Sequence, residues 1–539
     1  MRSGNTYNED QQAVPYLSSF GAWALAFGCS VGWGSFVMPG TTFLPVAGPV
    51  GTALGIAAGA VVMLILGMNY HYLMNRYSGG GGAYTYTQKA FGYDHGFVSA
   101  WFLILAYIAI IWANATALPL ICRTLFGSLF QFGFDYFVAG YHVYMGEILL
   151  AMAALIIAAV LCLRQKAAEL TQIVMAVVLF AGVVVCFAAA FGSAGGQTAV
   201  FSPPFEPSHS AFGGMFTIFA LTPWAFVGFE SISHSTEEAI FPIKRAGIIL
   251  SISVVTAGIA YILLALMAVI SLPEGCSSWT DYVQNLDSFS GMASLPTFYA
   301  AYTAMGRTGS VIMGFAALGG IFTGLIGNYI ALSRLLRTLS RDRMLSGRIG
   351  RLDRNGVPRY AILFILGVSL VLPFFGRTAI SWIVDVTTVG ATIAYAYTSA
   401  AALKTAWMDR RIPYIVNGML GVAASLLFAA EFLIPNLTDV KTLSMESYFI
   451  LAAWGILGLL FFREVFNKDK ERRFGRSVIV WIVLFALIIY ASSVWVEQET
   501  EKAVDNSVPV IQAYYKENPL RGPDATADGS ESAETAYLE

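Results

Sequence analysis

One carboxylate stands among apolar residues in the segment Leu221-Thr222-Pro223-Trp224-Ala225-Phe226-Val227-Gly228-Phe229-Glu230-Ser231. An acid buried in such a run is costly, and where one is kept it usually serves a pathway or a proton relay. The same segment carries Pro223, which removes a helix hydrogen bond, and Gly228, which lets the backbone leave the helix. A second apolar segment, Gly28-Cys29-Ser30-Val31-Gly32-Trp33-Gly34-Ser35-Phe36, is dense in glycine and equally unsuited to a continuous helix. The N-terminus of a half-helix presents free N–H groups that suit a carboxylate. The C-terminus of a half-helix presents free carbonyls that suit an ammonium or another cation. Two such breaks facing each other would fit a zwitterionic amino acid. Each feature also has a plainer reading: Gly28-x-x-x-Gly32 as a close helix contact, Glu230 as a protonated structural carboxyl, Asn114 as interhelical glue.

The elements that must position these groups are membrane helices. Of 539 residues 57% are hydrophobic and 12% charged, too little charge to coat a soluble chain of this length. Apolar runs of roughly 20 residues match the hydrocarbon thickness, and inside lipid the backbone must satisfy itself as helix. The runs predict about thirteen spans: 17–46, 49–75, 96–122, 145–163, 169–192, 211–239, 247–272, 309–336, 360–375, 380–403, 412–435, 446–463 and 476–496. The two broken segments fall in the first and sixth. That interval is expected of two inverted five-helix repeats, each opening with a discontinuous helix.

Placing the N-terminus in the cytoplasm puts 24 of the 31 Lys and Arg on the inside, eight of them between Arg334 and Arg359. Residues 1–16 are then a cytoplasmic segment without the features of a signal peptide. With an odd number of spans the acidic tail, 497–539, lies outside and is expected to be disordered. The outer stretch 273–308 is the longest loop and is expected to pack on the protein, as a lid would. The five cysteines show no metal-ligand spacing; Cys122 and Cys276 could meet on the outer side, but free thiols are the simpler reading. The net charge of −2 points to no nucleic-acid partner.

Four motifs in order resemble the amino acid–polyamine–organocation permease superfamily over residues 17–405. They are the glycine segment 28–36; Arg76-Tyr-Ser-Gly-Gly-Gly81-Gly82-Ala-Tyr84-Thr-Tyr86 with Ala90-Phe91-Gly92; Trp224–Ser231 with Glu237-Glu238; and Ser333-Arg334 with Arg341-Asp342. The resemblance implies an all-α integral membrane fold with a five-plus-five inverted-repeat core, discontinuous helices 1 and 6, and further helices over 406–496. It implies a secondary active transporter. The substrate carboxylate would meet amides around Gly32, Trp33, Gly34 and Ser35, and its ammonium the carbonyls around Trp224, Ala225, Val227 and Gly228. By comparison with a bacterial arginine–agmatine exchanger, Asn114 and Asn328 would face the substrate, and Tyr395 would reach Glu230, the candidate for proton coupling. Some proton-coupled relatives carry a fifth-helix lysine that this chain lacks, and Tyr72 stands where many have glutamate.

The resemblance further implies a multi-pass protein of the cell membrane, with an amino acid or amine as substrate and a proton or sodium as the coupling ion. No cofactor or metal is expected, and no P-loop or histidine–carboxylate cluster suggests an enzyme. A polyamine or organic-amine carrier and a transporter-like amino-acid sensor are the rival readings.

Overall fold

The computed structural model describes residues 13–433 apart from 78, 139 and 140, then 443–468 and isolated positions between 483 and 497. The expected thirteenth span, 476–496, is thus described only at isolated positions, and the acidic tail beyond 497 lies outside the described residues. Among the described residues nine helices are long and apolar enough to cross a membrane. The chain is a multi-pass membrane protein, and small residues let its helices approach closely. The helix Gln165–Ser193 shows the principle: it buries Ala168, Ala176, Gly182 and Ala190, and turns Leu170, Val174, Val177 and Val184 outward.

The first expected span opens as α1 (Ser19–Ser30), breaks, resumes as α2 (Gly34–Met38) and runs through a wide turn at Pro39–Phe43. Ser18 caps α1 by accepting the Gly21 N–H at 2.9 Å. Next, α3 (Leu44–Arg76) bends at Gly48-Pro49, and α4 (Ala83–Phe91) lies between it and the long α5 (Tyr93–Phe126). A short antiparallel hairpin follows, β1 (Asp135–Val138) with β2 (Tyr141–Tyr144), pairing Asp135 with Tyr144. The hairpin departs from the all-helical expectation; its Tyr, Phe and Val residues have high strand propensity.

Then come α6 (Met145–Cys162) and α7 (Gln165–Ser193). The sixth expected span is divided into α8 (Ala211–Ala220), α9 (Thr222–Phe226) and a 3₁₀ turn at Phe229–His234. After α10 (Ala246–Met267), the loop expected to pack on the protein does so through α11 (Trp279–Gln284) and α12 (Pro296–Met305). The Thr297 hydroxyl of α12 donates to the Phe36 carbonyl of α2 at 2.7 Å. The remaining helices are α13 (Arg307–Arg341), α14 (Arg359–Ser369), α15 (Ala379–Met408), α16 (Ile412–Leu433) and α17 (Met445–Lys468). All five cysteines are free.

The basic end of the molecule is closed by ion pairs. Arg334 of α13 binds Glu238 at 3.0 Å with both side chains buried, and Arg337 and Arg341 bind Glu237 at 2.9 and 2.8 Å. The Tyr16 and Leu17 amides donate to the Glu238 carbonyl at 2.8 and 2.9 Å, which draws the chain ahead of α1 into the same closure. Tyr84 donates to Asp342. At the inter-helix boundary nearby, Tyr72 donates to Asp409 at 2.9 Å and stacks on Tyr414 at 4.3 Å, so it joins α3 to α15 and α16.

Candidate functional site

The two interruptions are adjacent and bonded. The Ser30 hydroxyl donates to the Phe226 carbonyl at 3.0 Å as well as to Ala26 of its own helix at 2.9 Å. The Ser30 carbonyl accepts from Tyr261 Oη at 3.2 Å. Pro223 does not make the second break. It occupies the first turn of α9, where its missing N–H costs little. The chain leaves the helix at Val227 and at Gly228, whose φ of 95° is a left-handed conformation open to glycine without strain.

Around the first break, α2 opens at Gly34; the Ser35 and Phe36 amides turn back onto the Gly32 and Trp33 carbonyls at 3.3 and 3.0 Å, while the Gly34 amide, first of the helix, has no acceptor one turn earlier within α2. Trp33 is different: its N–H donates to Asn114 Oδ1 at 3.2 Å. The Asn114 Nδ2 in turn donates to Ile110 at 2.9 Å. Asn114 is held between Gly32 and Gly324; a Cβ on Gly32 would stand 2.8 Å from Oδ1 and one on Gly324 2.7 Å from Nδ2. The Ser35 hydroxyl donates to the Gly32 carbonyl at 2.8 Å. Gly34 lies against the benzene ring of the Trp224 indole, and a Cβ there would overlap Cη2. Trp224, Phe226 and Tyr261 group into an aromatic wall with centroid separations of 6.5 and 6.2 Å to the tyrosine.

The expected residues Gly32, Trp33, Gly34, Ser35, Asn114, Trp224, Ala225, Val227 and Gly228 thus fall at or beside one junction. Asn328 lies one turn further along α13 from Gly324. Its Nδ2 donates to the Gly324 carbonyl at 2.8 Å, and its buried Oδ1 has no partner.

Glu230 is fully buried beyond Gly228. Its Oε2 accepts from the Gly228 amide at 3.0 Å and from Tyr395 Oη at 3.2 Å, and its Oε1 from Tyr107 Oη at 2.7 Å. The tyrosine expected on the tenth helix does reach the acid. Sequence reasoning missed Tyr107 and His234, whose Nε2 is 3.0 Å from the same Tyr107 oxygen. The signal was there: Tyr107 precedes Asn114 by two helical turns, and His234 follows Glu230 by four residues.

Paired helix breaks with exposed backbone polarity in a multi-pass bundle define a class, that of membrane carriers for small polar molecules. Residues 17–443 match the amino acid permease family, and the chain belongs to it. It is 24% identical over 374 residues to the branched-chain amino acid permease BcaP of Lactococcus lactis, covering 65% of this chain and 74% of that one. It is 23% identical over 380 residues to BcaP of Bacillus subtilis, 66% and 73% of the two chains. Cationic amino acid transporter 4 of Mus musculus is 28% identical over 371 residues, 66% of this chain and 54% of that one.

Proposed function

We propose that the protein is a secondary active transporter of zwitterionic amino acids, working by alternating access across the cell membrane with its N-terminus and basic end in the cytoplasm. The core is taken as a five-plus-five inverted repeat. The substrate carboxylate is received by the amide at Gly34, with Trp33 joining once Asn114 releases it and Ser35 once it gives up its bond to the Gly32 carbonyl, and the ammonium by carbonyls of the Trp224–Gly228 stretch. The observation that carries this reading is the Asn114–Trp33 bond: an amide oxygen, a close relative of a carboxylate oxygen, already occupies an N–H of the broken helix. The aromatic wall of Trp224, Phe226 and Tyr261 favours an uncharged, apolar substrate side chain, since both oxygens of Glu230 are already engaged. Relatives named for branched-chain amino acids agree with that choice.

In this reading α12 on α2 covers one end of the site and the ion pairs of α13 cover the other. That is the arrangement an occluded intermediate requires. Glu230 is the group proposed to link transport to protons, because it is the carboxylate next to the second break.

Uptake into proteoliposomes tests the reading. Leucine-type substrates should accumulate, and the decarboxylated amine should neither enter nor compete. Preference for the amine or for arginine would favour the organic-cation alternative, and binding without flux would make the protein a sensor.

A further inference from the structure

Among the buried titratable groups that the transport reading leaves unused is His234. It is fully enclosed at 1% exposure, and its Nε2 is linked to Glu230 through Tyr107. Tyr107 Oη lies 2.7 Å from Glu230 Oε1 and 3.0 Å from His234 Nε2, so one hydroxyl spans acid and imidazole. The other ring nitrogen, Nδ1, has no hydrogen-bond partner although it is buried. A buried imidazole nitrogen left this way calls for an explanation.

The Cε1–Nδ1 edge of the ring lies beside Gly82. A Cβ on that residue would stand 2.9 Å from Nδ1 and 2.5 Å from the Ser233 hydroxyl. Gly82 ends the glycine run that covers the basic end, where Gly79 accepts from Thr236 at 2.9 Å and the Gly80 amide donates to Glu237 at 3.3 Å. Gly79 and Gly80 are half-buried. Gly81 and Gly82 are buried, and Thr85 and Thr338 pack against Gly81, so from Nδ1 towards the basic end the run itself contributes only backbone, with those two side chains beside it.

We propose that Tyr107 and His234 form the inner limb of a proton path from Glu230 to the cytoplasm, an inference that rests on Glu230 being the proton-linked group. In the release step protonated Glu230 gives its Oε1 proton to Tyr107 Oη as Tyr107 gives its own to His234 Nε2. One O–H bond breaks at the acid and one forms at the phenol; the old phenolic O–H breaks and an N–H forms. The products are a carboxylate and an imidazolium. The imidazolium then loses its Nδ1 proton to water at the glycine run, and rotation of the imidazole returns a lone pair towards Tyr107. No oxidant or further reactant is needed. An imidazole is suited to such a shuttle because its two nitrogens can hold a proton in turn.

Other titratable side chains lie near the acid: Cys29 from α1, Tyr70 from α3 and Tyr395 from α15, with Tyr86 of α4 beside Tyr70. None bears a charge at neutral pH. The nearest full charges beyond the 3₁₀ turn, Glu237 and Glu238, are held by Arg334, Arg337 and Arg341. The path therefore has one acid at its head and no competing charge along it among the described residues.

The full-length protein in liposomes with a trapped pH dye gives two readouts: proton flux driven by an added leucine gradient, and exchange of labelled leucine at equal concentrations. Wild type should show both. Glu230→Gln should retain exchange and lose proton flux. His234→Gln and Tyr107→Phe should also retain exchange, with proton flux reduced at least tenfold and a transport rate flat against internal pH. Wild-type leucine uptake without proton flux would overturn the role of Glu230 and the path with it. Flux lost in Glu230→Gln but kept in His234→Gln would overturn the path alone. Loss of exchange and flux together in both His234→Gln and Tyr107→Phe would make the pair structural, and would equally overturn it.

Discussion

The Ser30 hydroxyl and the Phe226 carbonyl, 196 residues apart in sequence, meet at 3.0 Å and join the two helix breaks in one buried hydrogen bond. Removing the hydroxyl leaves the Phe226 carbonyl without that donor, at a cost of about 1–3 kcal/mol. Ser30→Ala should lower the unfolding midpoint of the substrate-free protein in detergent. It should also narrow the gap between substrate-free and substrate-bound midpoints less than a change at the carboxylate site does, because the bond links backbone rather than ligand.

Gly34 is confined by the Trp224 indole. Gly34→Val should insert into membranes at the wild-type level and show no substrate-induced thermal shift, since a ligand-bound native state is what raises apparent stability. A wild-type shift in this variant would move the carboxylate site away from α2.

Asn114 and Asn328 should separate. Asn114→Ala frees the Trp33 amide and abolishes the side-chain stand-in, so substrate affinity should change for every amino acid by a similar factor, on the order of tenfold for a bond of about 1.4 kcal/mol. Asn328, with its unpartnered Oδ1, should instead alter the ranking of competing amino acids. Competition assays with a panel of side chains distinguish the two outcomes.

The Arg334–Glu238 pair is buried on both sides. Arg334→Met leaves an uncompensated buried carboxylate and should cost about 3–5 kcal/mol. The double change Arg334→Met with Glu238→Gln should recover most of the lost stability, read as the melting midpoint. Failure of the double change to recover would mean that the arginine acts through Ser333 and its packing rather than through the ion pair.

Where α3 meets the end of α15, the hydrogen bond from Arg76, and then that from Tyr72, hold the Asp409 carboxyl below the usual carboxylate range. A lowered folded-state value contributes stability that is fully present above the unfolded value and is lost as pH falls through the folded one. The joint should therefore be intact at neutral pH and loosen only below the ordinary carboxylate range. Asp409→Asn should remove that acid-side dependence of the melting midpoint, leaving its neutral-pH value little changed at so exposed a pair.

The spans were legible because lipid demands apolar runs of fixed length, the first break because glycine density within such a run is anomalous, and the second because a proline and a glycine interrupt one. The position of the second break was not: Pro223 drew attention, yet a proline in a first turn is tolerated, and Gly228 with its positive φ does the breaking. The link from Tyr395 to Glu230 came from the family resemblance. Tyr107 and His234 stayed hidden because both sit in apolar segments where an aromatic or an imidazole is easily taken for packing. Asn114 was placed at the junction, but the bond it makes to the Trp33 amide depends on three-dimensional register that spacing alone does not supply. The hairpin at 135–144 was missed because two strands of four residues are too short to show alternation.

The Thr297 hydroxyl on the Phe36 carbonyl means that the outer loop grips the half-helix whose first amides are assigned to the substrate. Phe298 packs beside Phe36, and Pro296 against Gly40, so the grip extends over a full turn. Anything that fastens α12 from the face of the membrane on which it lies also immobilises α2. An antibody fragment raised against the surface around Tyr302 would then act as an inhibitor that never enters the pathway, and its potency would owe nothing to competition with the amino acid.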